Sequence, residues 1–206
     1  MTPTVSQGRQ RQHGETREKI LEAAQELIQT RSYDGFSFRD VAAAVGIRKA
    51  SIYHHFESKE ALAAAMAERA TERFGRWAAS HATRPATERL KAYCFELYGE
   101  HLGAGEALCP GGALVSSWPH LSGDVHHAVG TLLDAHLEFL QGAIRDGVKS
   151  GELVIPARHS FAAAARWFAS AVQGALIWSR ATDGYSTFEQ LCNSTLAALK
   201  ASADKT

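Results

Sequence analysis

Apolar side chains recur at intervals of three or four residues along most of the chain, which is the spacing of one face of an α-helix. The first such run follows Thr16, which we expect to cap a helix that ends near Arg31. Asp34 and Gly35 then interrupt the pattern. The apolar positions of this first run are Ile20, Leu21, Ala24, Leu27 and Ile28.

The next segment predicts two short helices followed by a long one. Ser37 and Asp40 make a capping-box-like start for the first short helix, and Gly46 ends it. Residues 48–55 form the second short helix, and Ser58 caps the long one that follows. Together with the helix that follows Thr16, the two short helices make three helices within a small amino-terminal region.

Beyond Pro85 the spacing of apolar residues stays helical. Residues 122–150 predict the longest helix of the chain, and residues 187–199 predict the last one. The segment 161–181 is apolar nearly all round, so we expect its helix to be buried on several sides. Because the sequence contains no convincing strand or internal repeat, we predict an all-α fold.

Two short helices joined by a tight turn are the frame of a helix-turn-helix, whose second helix enters the major groove of DNA. Ala42 and Ala43 allow close approach of the two helices, and Gly46 permits the turn between them. The apolar side that would anchor the second helix consists of Val41, Val45, Ile47 and Ile52.

The remaining side chains of the second helix suit DNA chemically. Cations and hydroxyls bond phosphate oxygens or guanine edges, whereas a methyl group or a tyrosine ring packs on a thymine methyl. Ser37 and Lys59 are further expected phosphate contacts. An ordinary helical hairpin with a charged surface is the alternative. The outward-facing residues are Arg48, Lys49, Ala50, Ser51, Tyr53 and His54.

Charge alone does not favour nucleic acid, because 22 Lys and Arg balance 22 Asp and Glu for a formal net charge of 0. If DNA is the partner, the placement of the cations must supply the attraction. Residues 1–15 lack apolar periodicity and are interpreted as a flexible basic arm, whose Arg9 and Arg11 could reach a phosphate backbone.

The run from Thr16 to Leu62 resembles the amino-terminal domain of the tetracycline-repressor (TetR) family, with "ILEAAQELI" and "YDGFSFRDVAAAVGIRKASIYHHFESKEAL" as its two motifs. The resemblance covers about a quarter of the chain. The positions that match the family pattern are Gly35, Ser37, Ala42, Gly46, Ser51, Ile52, Tyr53, His55, Phe56, Lys59 and Leu62.

The resemblance implies an all-α homodimeric transcriptional regulator, most often a repressor, which binds a near-palindromic operator and responds to a small effector. It divides the chain into a DNA-binding domain over 16–62 and an effector-binding and dimerisation domain over 63–206. His55 and Phe56 are expected in the core. By matching position it also implies DNA contacts at Ser37, Arg39, Lys49, Ala50, Ser51, Tyr53, His54 and Lys59, with Arg39 and Lys49 at base edges.

Aromatic and leucine side chains in the carboxy-terminal region could line an apolar effector pocket, although each could equally be plain core. The last two long helices are expected to pair two copies into a four-helix bundle. The predicted pocket residues are Phe95, Tyr98, Cys109, Leu114, Trp118, Leu133, Leu137, Trp167 and Phe168.

Cys109 stands in "ALCPGGAL", where a new helix could begin, and a helix amino terminus favours the reactive thiolate. The position resembles that of a cysteine in a TetR subgroup that responds to electrophiles and oxidants. A buried structural cysteine is one alternative. Another is a helical thiol-dependent enzyme in which His120 or His126 acts as the base.

Other functional classes have little support in the sequence. The histidines lack the spacing of a metal site, and nothing indicates a cofactor. No apolar run is long enough to span a membrane, and the polar first residues do not form a secretory signal. We therefore expect a cytoplasmic protein that is not an enzyme.

Overall fold

The structure is a computed structural model that describes residues 5–99 and 109–200. Its described residues confirm the all-α prediction, with an isolated antiparallel bridge between Leu153 and Lys200 besides the helices. The helices are α1 (Val5–Arg31), α2 (Phe38–Val45), α3 (Lys49–Tyr53), α4 (Lys59–His81), α5 (Ala86–Ala92, continued by a π-helical turn over Tyr93–Tyr98), α6 (Pro110–Val115), α7 (Gly123–Ser150), α8 (Phe161–Arg180) and α9 (Tyr185–Leu199).

The chain divides into two compact units. Unit 1 comprises residues 1–70 and 110–130, and unit 2 comprises residues 71–109 and 131–206. The second segment of unit 1 belongs there because α6 packs against α1. The division at residue 62 that the family resemblance implies concerns function and stays a prediction.

The first helix begins earlier than the sequence pattern indicates. Residues 5–15 are helical rather than a flexible arm, and the Thr16 hydroxyl donates to the Gln12 carbonyl at 2.9 Å instead of capping the helix. Gln and Arg are good helix formers, so a polar segment without proline can extend an amphipathic helix. Residues 1–4 and the side chains of 5–11, including Arg9 and Arg11, lie outside the described part of the chain.

Unit 1 is held together by apolar side chains of its helices and by a buried arginine. Ile20, Ile28 and Ile52 are among its fully buried side chains. The Arg69 guanidinium on α4 reaches α1, where it lies 3.1 Å from a Glu18 carboxylate oxygen and donates to Gln25 Oε1 at 3.0 Å. These charge-assisted bonds fix α4 against α1.

Unit 2 packs the hairpin of α8 and α9 together with the aromatic side chains of α5 and α7. Tyr93, Phe168 and Phe188 are its largest fully buried side chains. Gly147 on α7 allows the first residue of α5 to approach, because a Cβ at this position would meet Leu153 and lie 2.8 Å from the Ala86 Cβ. A glycine is therefore required at this crossing.

One face of α8 is exposed in the single chain, although its apolar sequence predicted burial on several sides. Ile177 and Trp178 expose 61% and 65% of their surface. Periodicity indicates which residues avoid water, but it does not indicate whether the residues that bury them belong to the same chain. The prediction that this helix is buried on several sides is therefore wrong for one copy alone. Within the described ranges, no helix combines the length and apolar character needed to cross a membrane.

Candidate functional site

The start of α2 is fixed by a reciprocal capping box, as the sequence predicted. The Ser37 amide and hydroxyl both donate to Asp40 Oδ2, at 2.8 and 2.6 Å. The Arg39 amide in turn donates to Ser37 Oγ at 3.3 Å. These bonds from Ser37 lower the pKa of the Asp40 carboxyl. The Ser37 hydroxyl thus has a structural task in addition to its expected phosphate contact.

The turn between α2 and α3 depends on Gly46. Its φ of 76° lies in the left-handed region, which favours glycine. The amides of Gly46 and Ile47 both donate to the Ala42 carbonyl at 3.0 Å, which closes the end of α2. Ile52 is fully buried and anchors α3. This turn therefore sets the direction in which α3 presents its other side chains.

The side chains expected to contact DNA line the outer face of α3. Arg48 precedes the helix, His54 follows it, and both are exposed. Lys49 and Ala50 are also exposed, whereas Ser51 is half-buried. Between Arg48 and His54 the sequence contains no acidic residue, so the charge of this face is positive.

Tyr53 is held in place although 53% of its surface is exposed. Its ring meets the Phe38 ring edge-on, with centroids 5.1 Å apart, and Lys49 Nζ lies 6.0 Å from the ring centroid. Arg39 is exposed on α2. Because Phe38 already restricts the Tyr53 ring, Tyr53 would lose less conformational entropy on binding a partner.

Lys59 differs from the other predicted contacts because it is turned into unit 1. Its Nζ donates to the Phe36 carbonyl at 2.7 Å and lies 4.4 and 4.5 Å from the ring centroids of Tyr33 and Phe36. Burial lowers the pKa of this ammonium group. Lys59 therefore stabilises the turn between α1 and α2, a role that sequence spacing does not reveal.

The expected core position of Phe56 is confirmed, since its ring is buried and carries the Arg17 guanidinium 5.1 Å from its centroid. His55 is only half-buried. Its ring lies 4.1 Å from that of His13 on α1, and desolvation by burial lowers its pKa. His55 therefore belongs to the contact between α1 and the segment after α3.

The side chains predicted for an effector pocket are divided between the two units. Leu114 and Trp118 belong to unit 1, where Leu114 is buried and Trp118 stacks on His126 with ring centroids 4.0 Å apart. The remaining predicted residues belong to unit 2. They are Phe95, Tyr98, Cys109, Leu133, Leu137, Trp167 and Phe168.

Within unit 2 these residues do not all face the interior. Tyr98, Cys109 and Phe168 are buried, whereas Leu133 and Trp167 expose 42% and 46% of their surface. Leu133 and Trp167 are thus not interior pocket walls in the single chain. Helical periodicity predicts that Leu133 and Trp167 lie on the apolar faces of their helices. It does not distinguish an apolar face in the interior from an apolar patch on the surface.

Two other predicted residues lie at the edges of unit 2. Phe95 is half-buried and meets Phe188 of α9 edge-on, with centroids 6.3 Å apart. Leu137 lines an open groove of about 580 Å³ between α7 and α8. The other residues of this groove are Asp134, Glu138, Gln141, Gly142, Arg145, Ala162 and Arg166.

The interior of unit 2 contains a group of hydrogen-bonded polar side chains, Tyr93, Tyr98, Cys109, His136 and Gln173, which we call the interior polar cluster. The Cys109 thiol donates to Gln173 Oε1 at 3.2 Å, and Gln173 Nε2 donates to the Tyr98 hydroxyl at 3.1 Å. The Tyr93 hydroxyl lies 3.1 Å from His136 Nδ1. The Tyr98 hydroxyl lies 3.3 Å from that of Tyr93 and 3.4 Å from His136 Nδ1.

The π-helical turn explains why the two tyrosines meet. In an α-helix, residues four apart share a face, whereas the wider π-helix aligns residues five apart. Tyr93 and Tyr98 are the first and last residues of this turn, and their ring centroids lie 5.1 Å apart. An ordinary helix was expected here, so Tyr98 could be predicted as a site residue but Tyr93 could not be predicted as its partner.

The two tyrosines and the histidine of the cluster are uncharged at neutral pH. Burial raises the pKa values of Tyr93 and Tyr98 above the ordinary value for a phenol. Burial also lowers the pKa of His136 to about 4. Both hydroxyls and the imidazole therefore stay neutral and serve as hydrogen-bonding groups only.

Aromatic rings surround one side of the cluster. Phe74 of α4 stacks on His136 with centroids 3.7 Å apart and an angle of 15° between the ring planes. Phe139 lies 5.9 Å from Phe74 and 5.2 Å from Trp77. His136 and Gln173 were not predicted as site residues from the sequence, because their partners come from other helices.

The contacts of Cys109 do not resemble those of a catalytic nucleophile. Its thiol donates to the side-chain amide of Gln173, which cannot act as a general base. His120 Nδ1 lies 3.1 Å from Asp34 Oδ2, and His126 Nε2 donates to the Trp118 carbonyl at 2.9 Å. Among the described residues, no group of three or more His, Cys, Asp or Glu side chains is placed to hold a metal ion.

Comparison with known proteins identifies the amino-terminal region. Residues 20–66 match the family model for bacterial regulatory proteins of the tetR family. The Staphylococcus aureus biofilm operon icaADBC HTH-type negative transcriptional regulator IcaR is 41% identical to the chain over 46 residues. That match spans 22% of this chain and 25% of IcaR, so it concerns about a quarter of the relative.

Solved structures match over nearly the whole chain. The crystal structure of a TetR family transcriptional regulator from Agrobacterium tumefaciens has a TM-score of 0.85 and 28% identity, and the match covers 92% of this chain and 100% of that one. AibR, crystallised in complex with isovaleryl coenzyme A and operator DNA, has a TM-score of 0.66 and 24% identity over 90% of this chain and 98% of its own. The likeness to AibR concerns the fold alone.

Proposed function

We propose that this chain is a bacterial transcriptional regulator of the TetR family, whose model its residues 20–66 match, and that it is a repressor that binds a near-palindromic operator as a homodimer until a small effector releases it. The observation that carries this proposal is the exposed, basic outer face of α3, anchored by the buried Ile52 inside the region that matches the family. Exposed cations and a supported tyrosine are the groups that read a major groove.

The contacts have different proposed tasks. Arg39 and Lys49 are proposed to reach base edges, where a cation can donate to guanine O6 and N7. The other groups hold phosphates or pack against the groove, and Lys59 can use only the donors that its bond to Phe36 leaves available. The remaining proposed contacts are Ser37, Arg48, Ala50, Ser51, Tyr53 and His54.

Pairing with a second copy would account for two features of the single chain. Ile177 and Trp178 of α8 and Leu191 of α9 are exposed apolar side chains, and pairing through these helices would remove them from water. A twofold dimer also doubles the phosphate contacts of a chain whose net charge is 0. Its two α3 helices would bind half-sites about 34 to 36 Å apart.

The effector is proposed to bind in unit 2, at the interior polar cluster and the rings beside it. AibR, whose fold this chain shares, was crystallised in complex with isovaleryl coenzyme A and operator DNA. The chain is not proposed to be an enzyme, since the Cys109 thiol faces an amide. Thiol modification of Cys109 is proposed as a second route of release.

Operator binding is tested with labelled DNA from the intergenic region upstream of the gene, by fluorescence anisotropy at several salt concentrations. The double variant Lys49→Ala with Tyr53→Ala should lose binding by at least about tenfold, whereas Lys91→Ala, an exposed lysine on α5, should leave it unchanged. Affinity should fall steeply as salt rises. Binding that is insensitive to salt, or unaffected by the double variant, would refute the proposed interface.

The thiol route is tested in the same assay with hydrogen peroxide and with Cys109→Ser. Release of the wild-type protein but not of the variant supports Cys109 as the responsive group. Equal release of both proteins removes Cys109 from the mechanism, and the operator-binding proposal stands independently of this outcome.

A further inference from the structure

We propose that the outer face of α7 binds the same face of a second copy of this chain in an antiparallel arrangement, with the twofold axis beside Gly142. This surface shares no residue with the exposed apolar side chains of α8 and α9 through which the homodimer is proposed to form, so the contact is an additional one and does not depend on operator binding. We call the residues of this face the charged stripe. They are Asp134, Glu138, Gln141, Gly142, Arg145 and Lys149.

The charged stripe follows one face of α7 and is accessible to a partner. Apart from the adjacent Gln141 and Gly142, its members recur at intervals of three or four residues, which place them on the same side of a helix. All of them except Lys149 line the open groove of about 580 Å³, together with Arg166 of α8. The four charged members are exposed. A second helix can therefore reach the stripe without a change in the fold.

Within a single chain the charges of the stripe are not compensated. Asp134 and Glu138 are four residues apart and carry the same sign, as do Arg145 and Lys149. Like charges at this spacing repel each other on a helix. Among the residues that the structure describes, none of these four side chains forms an ion pair. The order of charges along α7 is therefore unfavourable in one copy alone.

The same order becomes complementary when two copies meet antiparallel. Glu138 precedes Gln141 by three residues, and Arg145 follows Gly142 by three. The outer acid and the outer base of the stripe likewise lie seven residues before Gln141 and seven residues after Gly142. Rotation about an axis between these two central residues places each acid of one copy opposite a base of the other. A twofold interface requires this kind of self-complementary surface, because every contact occurs twice with the copies exchanged.

Gly142 at the centre of the stripe has no packing role in the single chain. A Cβ at this position would meet nothing within 4 Å, whereas a Cβ at Gly147 on the same helix would meet Leu153 and Ala86. A glycine inside a helix is less stable than an alanine, so open space alone does not favour it. Beside a twofold axis, however, the missing side chain allows two helices to approach closely. The glycine therefore favours self-association independently of the charges.

The contact should be weak and sensitive to salt. Its charged side chains stay near water, where each pair contributes little and is screened by ions. The paired stretch of α7 is about 22 Å long, which is short for a permanent interface. Leu137 and Ala162 line the same groove and add apolar surface to the contact. A chain that pairs through this face and also through α8 and α9, as proposed above, assembles dimers into tetramers.

Self-association is measured by sedimentation velocity of the full-length protein at about 50 μM, in about 50 mM and about 500 mM NaCl, and the average mass of the wild type should fall by about half at high salt. Glu138→Arg or Arg145→Glu places like charges across the axis and should weaken association at low salt by at least about tenfold. The double variant Glu138→Arg with Arg145→Glu restores opposite charges and should associate like the wild type. Glu72→Arg, which makes the same charge change at an exposed site on α4, should leave association unchanged.

Cross-linking tests the position of the axis. Gln141→Cys lies beside the axis and should be joined to its own copy by a short bis-maleimide, whereas Asp134→Cys lies at least about 22 Å from its own copy and should not. The three native cysteines are buried, and circular dichroism confirms that each variant is folded. An average mass of the wild type that does not depend on salt, a double variant that does not associate, or equal cross-linking of the two cysteine variants would overturn the inference. Each of these outcomes leaves the operator-binding proposal standing.

Discussion

The neutral His136 in the interior of unit 2 predicts a specific loss of stability in acid. Its pKa in the folded protein is lowered from 6.5 to about 4 because burial disfavours the charged imidazolium. Between these values the unfolded chain binds the proton more tightly than the folded chain does. The contribution of neutral His136 to the free energy of unfolding is therefore fully present above about pH 6.5, and is lost as the pH falls towards about 4.

The magnitude follows from the same two pKa values. Each pKa unit of difference between the folded and unfolded states corresponds to about 1.36 kcal/mol. For a change from 6.5 to about 4 the loss is about 3 kcal/mol. Partial exposure of the ring makes this an upper value. A loss of this size is a large fraction of the stability of an ordinary domain, which is about 5 to 15 kcal/mol.

The assay is urea unfolding, followed by circular dichroism, from about pH 7 to about pH 4.5 at a fixed protein concentration. His136→Gln cannot titrate, so its free energy of unfolding should depend less steeply on pH than that of the wild type. His159→Gln, which removes an exposed histidine, is the matched control and should follow the wild type. Parallel pH profiles for the wild type and His136→Gln would refute the reasoning.

Two glycines give further predictions about stability. Gly147→Ala should lower the free energy of unfolding by about 1 to 3 kcal/mol, because the new Cβ would lie 2.8 Å from that of Ala86. Gly130→Ala on the same helix meets nothing within 4 Å and should be neutral or stabilising by up to about 1 kcal/mol in the same urea titration, so equal effects would contradict the proposed close approach. Gly46→Ala places a side chain at a φ of 76° and should cost about 1 to 2 kcal/mol. It should also weaken operator binding, and unchanged anisotropy would show that this turn does not direct α3.

The helix-turn-helix could be predicted from the sequence because its determinants are local. The capping pair Ser37 and Asp40 and the left-handed Gly46 each act within a few residues of their partners. Local propensity and pattern agree in this region. The predicted bounds of the later helices were also close, with α8 over Phe161–Arg180 where 161–181 was expected.

The interior polar cluster could not be predicted in the same way, since its members come from distant parts of the chain. Tyr98 and Gln173 are separated by 75 residues in sequence. The π-helical register of Tyr93 and Tyr98 also has no signal in an apolar periodicity that assumes 3.6 residues per turn. The error at residues 5–15 has a different origin, because polar helix formers give no apolar stripe by which to recognise a helix.

Lys59 illustrates a further limit of inference from residue type. A lysine at the start of a helix near the reading surface suits a phosphate, but Tyr33 and Phe36 surround its stem and the Phe36 carbonyl takes one of its donors. Only the three-dimensional arrangement shows that the Phe36 carbonyl competes with a phosphate for the Lys59 ammonium group. Among the residues that the structure describes, no other predicted DNA contact has its cationic group bonded to a backbone carbonyl in this way, so the other contacts are the better targets for mutation.

The π-helical turn sets the number of residues between Tyr93 and Tyr98. Removal of a single residue there would return the segment to ordinary α-helical winding, in which residues four apart coincide. The two phenols, and the residues that follow them, would therefore keep their alignment with the start of the helix. Proteins of this fold in which the segment winds as an ordinary α-helix should accordingly be one residue shorter between the two aligned positions.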